Sequence, residues 1–383
     1  MKTVAVMWDS LYPLMMSAVG DRDIKVYANR RVDASEEIYD EVVREMQDAD
    51  LLLLYRTTHS FWESLAHDVS ELRGKKIICV GQDPNYWSLS NVDPKICSDV
   101  YQYLLNGNKE NFRRLIDYIE YEFCGSDVIV LPPITIPWQG LAHPSDPDTI
   151  FTSRDEYLKA HPLTEGRPCI GVVISRGAWI SGQRSIETEV IRELESNGMD
   201  VIPVITNSLH NDEMNSKNIA ECAMDYFFRD GRPMIHALLK MVTFMVGKIP
   251  TLDQEESAKQ GASFLASLNV PVFQPIISYD LSLKDWEESD GLTNDVAWGI
   301  AMPEFEGIIE PIMLGTTRMG SDDYYNRAPI PGRAAKIARR IAKWTAMRMK
   351  PPAERKLVFV INNNPCASVE ANIGSASGLD SIR

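Results

Sequence analysis

The chain has 383 residues, of which 44% are hydrophobic and 24% charged, with 54 acidic side chains against 39 basic ones and a formal charge of −15. At about 150 residues per domain this length asks for two or three domains with sizeable cores, and the even composition excludes fibrous and low-complexity readings. The acidic balance excludes a general nucleic-acid surface, because phosphate binding rests on clustered Lys and Arg.

Met1 leads directly into Val4-Ala5-Val6-Met7-Trp8. This reads as a short strand, since its apolar core is too short for a secretory signal and no small-residue cleavage site follows. No apolar run approaches the ~18 residues of a membrane span, so no span and a cytoplasmic location are expected. Ser35 precedes Glu36, Glu37, Ile38, Val42, Val43 and Met46 at helical spacing, with the acids in the first turn where they favour the helix dipole. Leu51 to Tyr55 is a buried strand; the loop 56–62 leads to a helix, and Lys76 to Gly81 forms a third strand. Strands alternating with helices imply a parallel sheet with crossovers. Two helices are predicted between Ile96 and Phe123, with Asn106-Gly107-Asn108 between them, and Val128 to Leu131 is either a last strand or the exit segment.

From Pro132 to Pro168 the chain turns proline-rich and aromatic, which prevents regular strand pairing and reads as a domain linker. Strand, loop and helix then recur: a strand at 169–174, a helix at Ile186–Asn197 stopped by Gly198, and a strand at Val201–Ile205. Helices are predicted around Met214–Arg229, Pro233–Thr243 and Ser257–Leu268, followed by a buried strand ending near Gln274. A helix at Ile330–Met349 carries basic residues beside Ile337, Ile341 and Trp344, the pattern of a solvated amphipathic face. Lys356 to Ile361 opens one more strand, and the glycine-rich stretch at 374–383 enters what should be a helix, which suggests a piece of a longer protein. The expected fold is α/β: two parallel-sheet, Rossmann-like domains at 1–131 and 169–352, a Pro-rich linker at 132–168, and the start of a truncated unit at 353–383.

The six cysteines form no Cys-x-x-Cys pair, so neither a zinc site nor a redox motif is indicated. Candidate ligand residues follow strand ends. Arg56, His59 and Trp62 sit together after a buried strand; a guanidinium holds carboxylates bidentately and an imidazole exchanges a proton near neutral pH, which suits an anionic aromatic ligand. The plainer alternative packs Phe61 and Trp62 under the loop, with Arg56 and His59 facing water or a neighbouring acid. Arg176 and Trp179 follow the strand at 169–174, where an open sheet presents ligands; they suit an anion and a flat ring. The glycines there match neither Gly-x-Gly-x-x-Gly nor a P-loop. His143 either closes over a cleft between domains or caps a turn. Gln274 ends a buried strand, and Met302 to Gly307 reads as an extended segment in which an inward Phe305 would turn Glu304 and Glu306 outward as a pair.

Several segments together resemble the large subunit of cobaltochelatase, the CobN-type protein related to the magnesium chelatase large subunit. They are the 51–62 loop, Gly140-Leu141-Ala142-His143-Pro144, Ile170 to Gly182 with Val201-Ile202-Pro203-Val204, Pro271-Val272-Phe273-Gln274-Pro275, Trp286-Glu287-Glu288-Ser289, Met302-Pro303-Glu304-Phe305-Glu306-Gly307, and Asn372-Ile373-Gly374 with Gly378-Leu379-Asp380. Each is weak alone, and their order makes the match specific. The resemblance implies a subunit that binds a corrin-type tetrapyrrole and inserts a divalent metal such as cobalt, while AAA+ partner subunits use ATP and Mg. It also implies that this chain holds no cofactor of its own and does not metallate the ring unaided. Arg56, Arg176 and Trp179 would hold the ring, with His59, Trp62, His143, Gln274 and Glu304 around it. Two departures stand out. The family's Tyr-Arg-Ser-His-Trp is Ser175-Arg176-Gly177-Ala178-Trp179 in this chain, so that histidine's role does not transfer, and the family's downstream Gly-Thr-His-Gly segment is absent. A different class of reading, a two-domain binding module resembling a periplasmic-type receptor, also places a ligand between α/β domains.

Overall fold

A computed structural model describes residues 1–212, 214–243, 245–246, 254–291, 295–319 and 325–358. The first part runs β1 (Thr3–Met7), α1 (Tyr12–Val19), β2 (Ile24–Ala28), α2 (Asn29–Ala34), α3 (Glu36–Asp48), β3 (Leu51–Tyr55), α4 (Phe61–Glu71), β4 (Lys76–Val80), α5 (Pro94–Asn106) and α6 (Lys109–Cys124). Its strands form one parallel sheet in the order β2-β1-β3-β4. Both faces are covered, which is why Leu51 to Tyr55 is a continuous apolar run. Ala5, Met7, Leu51 and Leu53 pack toward α1, α5 and α6, and Val4, Val6, Leu52 and Leu54 pack toward α3 and α4. Ser35 caps α3 by accepting the amide of Ile38 at 3.3 Å.

The next part contains β5 (Gln139–Leu141), α7 (Arg154–Ala160), β6 (Cys169–Ser175), α8 (Arg176–Ile180), α9 (Ser185–Ser196), β7 (Asp200–Thr206), α10 (Ile219–Phe227), a hairpin of β8 (Phe228–Arg229) and β9 (Arg232–Pro233), β10 (Ala237–Lys240), α11 (Gln254–Leu268) and β11 (Val272–Phe273). The sheet order is β11-β10-β6-β7-β5, parallel except for β5. Its four parallel strands repeat the first sheet's arrangement, with the opening strand central and the next two in sequence on either side of it. A smaller third sheet, β12-β13-β14, is built from β12 (Ile276–Ser282), β13 (Met313–Met319) and β14 (Tyr325–Pro329), accompanied by α12 (Leu283–Glu288), α13 (Met302–Phe305) and α14 (Arg333–Met349). It docks on α9 at two points. Gly315 lies so close to Ile186 that an added Cβ would stand 2.4 Å from its Cδ1. Beside it, Arg327 Nη2 meets the fully buried Glu187 Oε1 at 2.8 Å and Nη1 donates to the Gln183 carbonyl.

Several expectations change. The helix predicted at Pro233–Thr243 is the strand β10: Ala237 to Lys240 are helix formers by propensity, but they lie buried between β6 and β11, and tertiary pairing overrides the weaker local preference. Val128 to Leu131 is an irregular exit segment, held where Tyr103 Oη donates to the Leu131 carbonyl at 2.6 Å. The stretch 132–168 is no free linker throughout, because Gln139–Leu141 adds an antiparallel edge to β7 and Tyr157 of α7 is buried against the same sheet. Met302 to Phe305 is helical, with Pro303 in its first turn. The third sheet was not foreseen. Of the strand predicted at Lys356–Ile361, residues 356–358 are irregular and the rest lies outside the described residues, as does the glycine-rich end at 374–383. Among the described residues no helix is long and apolar enough to cross a membrane.

Removing one member of the buried Arg327–Glu187 pair strands a charge in a dry site, so Glu187→Ala is expected to cost about 3 kcal/mol or more. Glu187→Gln, which keeps the shape and an acceptor, is expected to cost less; denaturant midpoints of the two variants check the order.

Candidate functional site

Open parallel sheets expose ligands beyond the carboxyl ends of their strands, nearest the point where successive connections go to opposite sides. In the second sheet that point lies between β6 and β10. Lys240, the last residue of β10, has a relative exposure of 1%, Gln274, just past β11, 2%, and Glu306, just past α13, 4%. They are placed together because β10 and β11 pair Leu239 with Phe273, which brings the next residue of each strand side by side. Lys240 Nζ donates to Gln274 Oε1, and Gln274 Nε2 passes the chain on to the Trp298 carbonyl at 3.0 Å. Glu306 Oε1 accepts the Val246 amide at 2.8 Å. Burial pushes the Lys240 ammonium well below the usual lysine range, to about 8, and the negative charge of Glu306 pulls against that shift. A buried cation is tolerable in such a place only where acceptors and an opposite charge surround it.

The network supports an exposed apolar rim. Residues Ala297–Ala301 form a π-helical turn that Gln274 grips by the Trp298 carbonyl, and Gly299 packs so closely that an added Cβ would stand 3.1 Å from Ile276 Cγ1. Single π-turns of this kind cluster at functional sites. The same stretch leaves Trp298 49% and Phe305 70% exposed, with Glu304 also at the surface. Large aromatics are more often buried or in contacts, which makes this short segment with two of them the candidate site. The outward Phe305 and inward Glu306 invert the expected paired carboxylates, because one helical turn, unlike an extended strand, does not alternate faces.

The other predicted residues fall elsewhere. Arg176 is buried: Nε donates to the Pro137 carbonyl at 2.8 Å, Nη2 to Ile136 at 3.0 Å and Nη1 to Leu105 at 3.4 Å, and its guanidinium lies 4.5 Å from the Trp138 ring. Burial lowers its pKa to about 10. Trp179 is 1% exposed within the core of the second sheet. Both therefore act as structure at the strand end, where an open ligand pair was expected. Trp62 is buried beneath the first sheet, as in the plainer reading of its loop. Arg56 and His59 do stand at that sheet's carboxyl edge. Arg56 lies 4.7 Å over the Tyr86 ring, and His59 Nδ1 is 3.1 Å from Asp33, which also accepts from Ser60 Oγ and the Phe61 amide. His143 is buried between Ser145 Oγ at 2.7 Å and Glu195 at 3.0 Å, with its ring tilted 37° to the His161 ring at 4.3 Å between centroids. Gln274 is a strut beneath the rim; of the predicted set, only Glu304 lies on the rim itself. Among the described residues no group of three or more His, Cys, Asp or Glu gathers to hold a metal.

Sequence reasoning missed Lys240. Its signal was a lone lysine inside the apolar run Ala237 to Val242, which a helix reading turns outward. The lowered value of Lys240 gives the folded state fewer bound protons than the unfolded chain between about 8 and the ordinary lysine value of 10.5. Across that window the Lys240 contribution makes stability rise with pH. The stability difference between wild type and Lys240→Met is expected to shift in favour of wild type as pH climbs from 8 to 10, and to stay level between pH 6 and 7; paired denaturation curves measure it.

The chain was compared with known proteins. A family model described as CobN/Magnesium Chelatase matches residues 101–383, well over half of the chain. An uncharacterized protein of Methanocaldococcus jannaschii is 31% identical across 100% of this chain, which covers 30% of it. The aerobic cobaltochelatase subunit CobN of a Sinorhizobium species is 24% identical over 78% of this chain and 23% of its own length. The catalytic subunit of cobaltochelatase from Mycobacterium tuberculosis has a similar fold, with a TM-score of 0.59 at 18% identity over 92% of this chain and 28% of that one. The chain thus spans about a third or less of the length of these relatives. Nothing in these matches favours the receptor-like binding module. With ordered segments along its length and a family match reaching from Tyr101 to Arg383, the chain belongs to the CobN/magnesium chelatase family.

Proposed function

We propose that this chain carries a ring-holding portion of a chelatase large subunit, in which a corrin-type tetrapyrrole receives a divalent metal, cobalt, while AAA+ partner subunits hydrolyse ATP in the cytoplasm. The observation that carries the reading is two exposed aromatics on one continuous stretch, Trp298 on the π-helical turn that Gln274 and Lys240 support from beneath and Phe305 at the end of α13, which follows it directly. A macrocycle offers two flat apolar faces, and aromatic side chains stack on such faces at low entropic cost. Arg176 and Trp179, the ring holders implied by the resemblance, have no free face for this, so the rim takes over their part.

Metal insertion needs two pyrrole N–H protons removed while the incoming ion is held for a moment, tasks suited to carboxylates and imidazoles. In this reading the exposed Glu304 carboxylate on the rim accepts a proton from the ring. Beneath it, Lys240 and Glu306 balance one another, so that the turn keeps its shape without an unpaired charge. The metal and the ring are the substrates of this step, and the chain needs no resident cofactor for it.

Titrating the chain into a metal-free corrin precursor and following the visible absorbance tests the assignment. Wild type is expected to shift the spectrum, and Trp298→Ala with Phe305→Ala together to weaken binding about tenfold, the equivalent of about 1.4 kcal/mol. No spectral change at high micromolar protein would remove ring binding by this chain.

A further inference from the structure

Next to the segment that carries the rim lies a basic stripe that ring binding does not use; the cavity beside it is lined in part by Glu306 and Gly307, which follow Phe305 in the chain. Between Arg333 and Lys356 the sequence carries nine basic residues and one acid, Glu354, in a chain whose overall charge is −15. Most of this run is α14, whose apolar residues Ile337, Ala338 and Ile341 are buried against the second sheet. Lys336, Arg339, Arg340, Lys343, Met347 and Lys350 recur at three- and four-residue spacing, so they share one face, and all are exposed. From the first to the last, the stripe runs about 20 Å along the helix at 1.5 Å per residue. Arg340 pairs with Glu310, but among the described residues Arg339, Lys343, Arg348 and Lys350 have no carboxylate within ion-pair distance.

Beside the end of this stripe lies a cavity of about 570 Å³ between α11, the entry to β11 and the last turns of α14. Its walls include Leu265, Pro271, Ile309 and Trp344, and Arg348 and Arg355 border it. The Arg355 guanidinium is folded back onto the carbonyls of Lys350 at 3.0 Å and Arg348 at 3.2 Å, which fixes this basic edge in place. Met347 is 50% exposed and Met349 46%. Methionine adapts its shape to whatever covers it, so this is a surface that can close over an inserted apolar group.

We propose that the cavity and stripe form a docking groove for an extended acidic segment of a separate protein, with one large apolar side chain in the cavity and carboxylates along α14. The dimensions favour a polypeptide. At about 3.3 Å per residue, a 20 Å stripe accommodates six extended residues, more than a small anion can span. Charge complementarity is local: the screening length near 8–10 Å at ordinary salt lets the stripe act while the distant acidic surface is damped. A second copy of this chain fits less well, because two copies each carrying −15 repel, and a contact of one copy's acids on another's stripe is head-to-tail, so it would build rings or filaments in place of a simple pair.

The 383-residue chain and a fluorescein-labelled peptide, Asp-Glu-Glu-Leu-Phe-Glu-Asp-Glu, test this by anisotropy. Binding is expected to weaken at least tenfold in the triple variant Arg339→Glu, Lys343→Glu and Arg348→Glu, and at least threefold when Ala266→Trp fills the cavity from α11. A peptide with Ser in place of Leu and Phe is expected to bind at least threefold more weakly than the parent. Melting curves confirm that the surface variants fold, and their response to the tetrapyrrole is expected to match wild type, which separates this groove from the rim. Binding of the acidic peptide unchanged within twofold by the triple variant would overturn the proposal. So would tighter binding of a 20-base-pair DNA duplex than of the peptide, or light scattering showing that the stripe drives self-association instead.

Discussion

One buried cation ties the first half of the chain to the second. Arg176, at the exit of the central strand of the second sheet, places its guanidinium against three backbone carbonyls: Leu105 in α5, and Ile136 and Pro137 in the segment that follows α6. Trp138 covers its flat face. Taking a guanidinium out of water is costly, and several acceptors in fixed positions offset that cost where a single partner would not. The proline-rich stretch has no ladder of its own at this point, so its carbonyls are free to turn toward the arginine. From that anchor Gln139–Leu141 continues as the edge strand of the second sheet. One side chain thus joins the end of β6 to the end of α5 and to the segment that leads into β5.

The same sheet carries the buried lysine network at its other strand ends. Lys240, Gln274 and the Trp298 carbonyl form a chain of hydrogen bonds from the sheet interior to the surface turn. Such networks gain strength in a low-dielectric interior and become liabilities when a member is lost, which suits a part that must hold an exposed aromatic turn in one place. The third sheet adds a second brace, since Arg327 and Glu187 lock β14 onto α9 while Gly315 allows the two surfaces to meet. Strut and brace together hold the rim from two sides, the kind of second-layer support that a preorganised binding face would require.

Electrostatics divides the surface in a way the total charge conceals. An acidic chain keeps like molecules apart, yet the exposed side of α14 sets five basic side chains on one face. The proposed rim and the proposed groove thus use different exposed side chains of one fold and are addressed by different substitutions.

The sequence by itself determined the parallel α/β character, since uninterrupted apolar runs such as Leu51 to Tyr55 and Ile170 to Ile174 suit only strands covered on both faces. It also determined the capped start of α3, the basic amphipathic nature of α14 and the family, through motifs whose order carries information that no single motif has. Tertiary structure alone decided that Ala237 to Lys240 is a strand, because a short run buried on all sides has no periodicity from which to choose. It decided as well that Arg176 and Trp179 face inward and Trp298 and Phe305 outward. Residue type and spacing place a side chain near a strand end or a turn, but which way it points depends on what packs there, and for these residues that is Pro137, Trp138 and Ile276, none of them a neighbour in sequence close enough to be read as one.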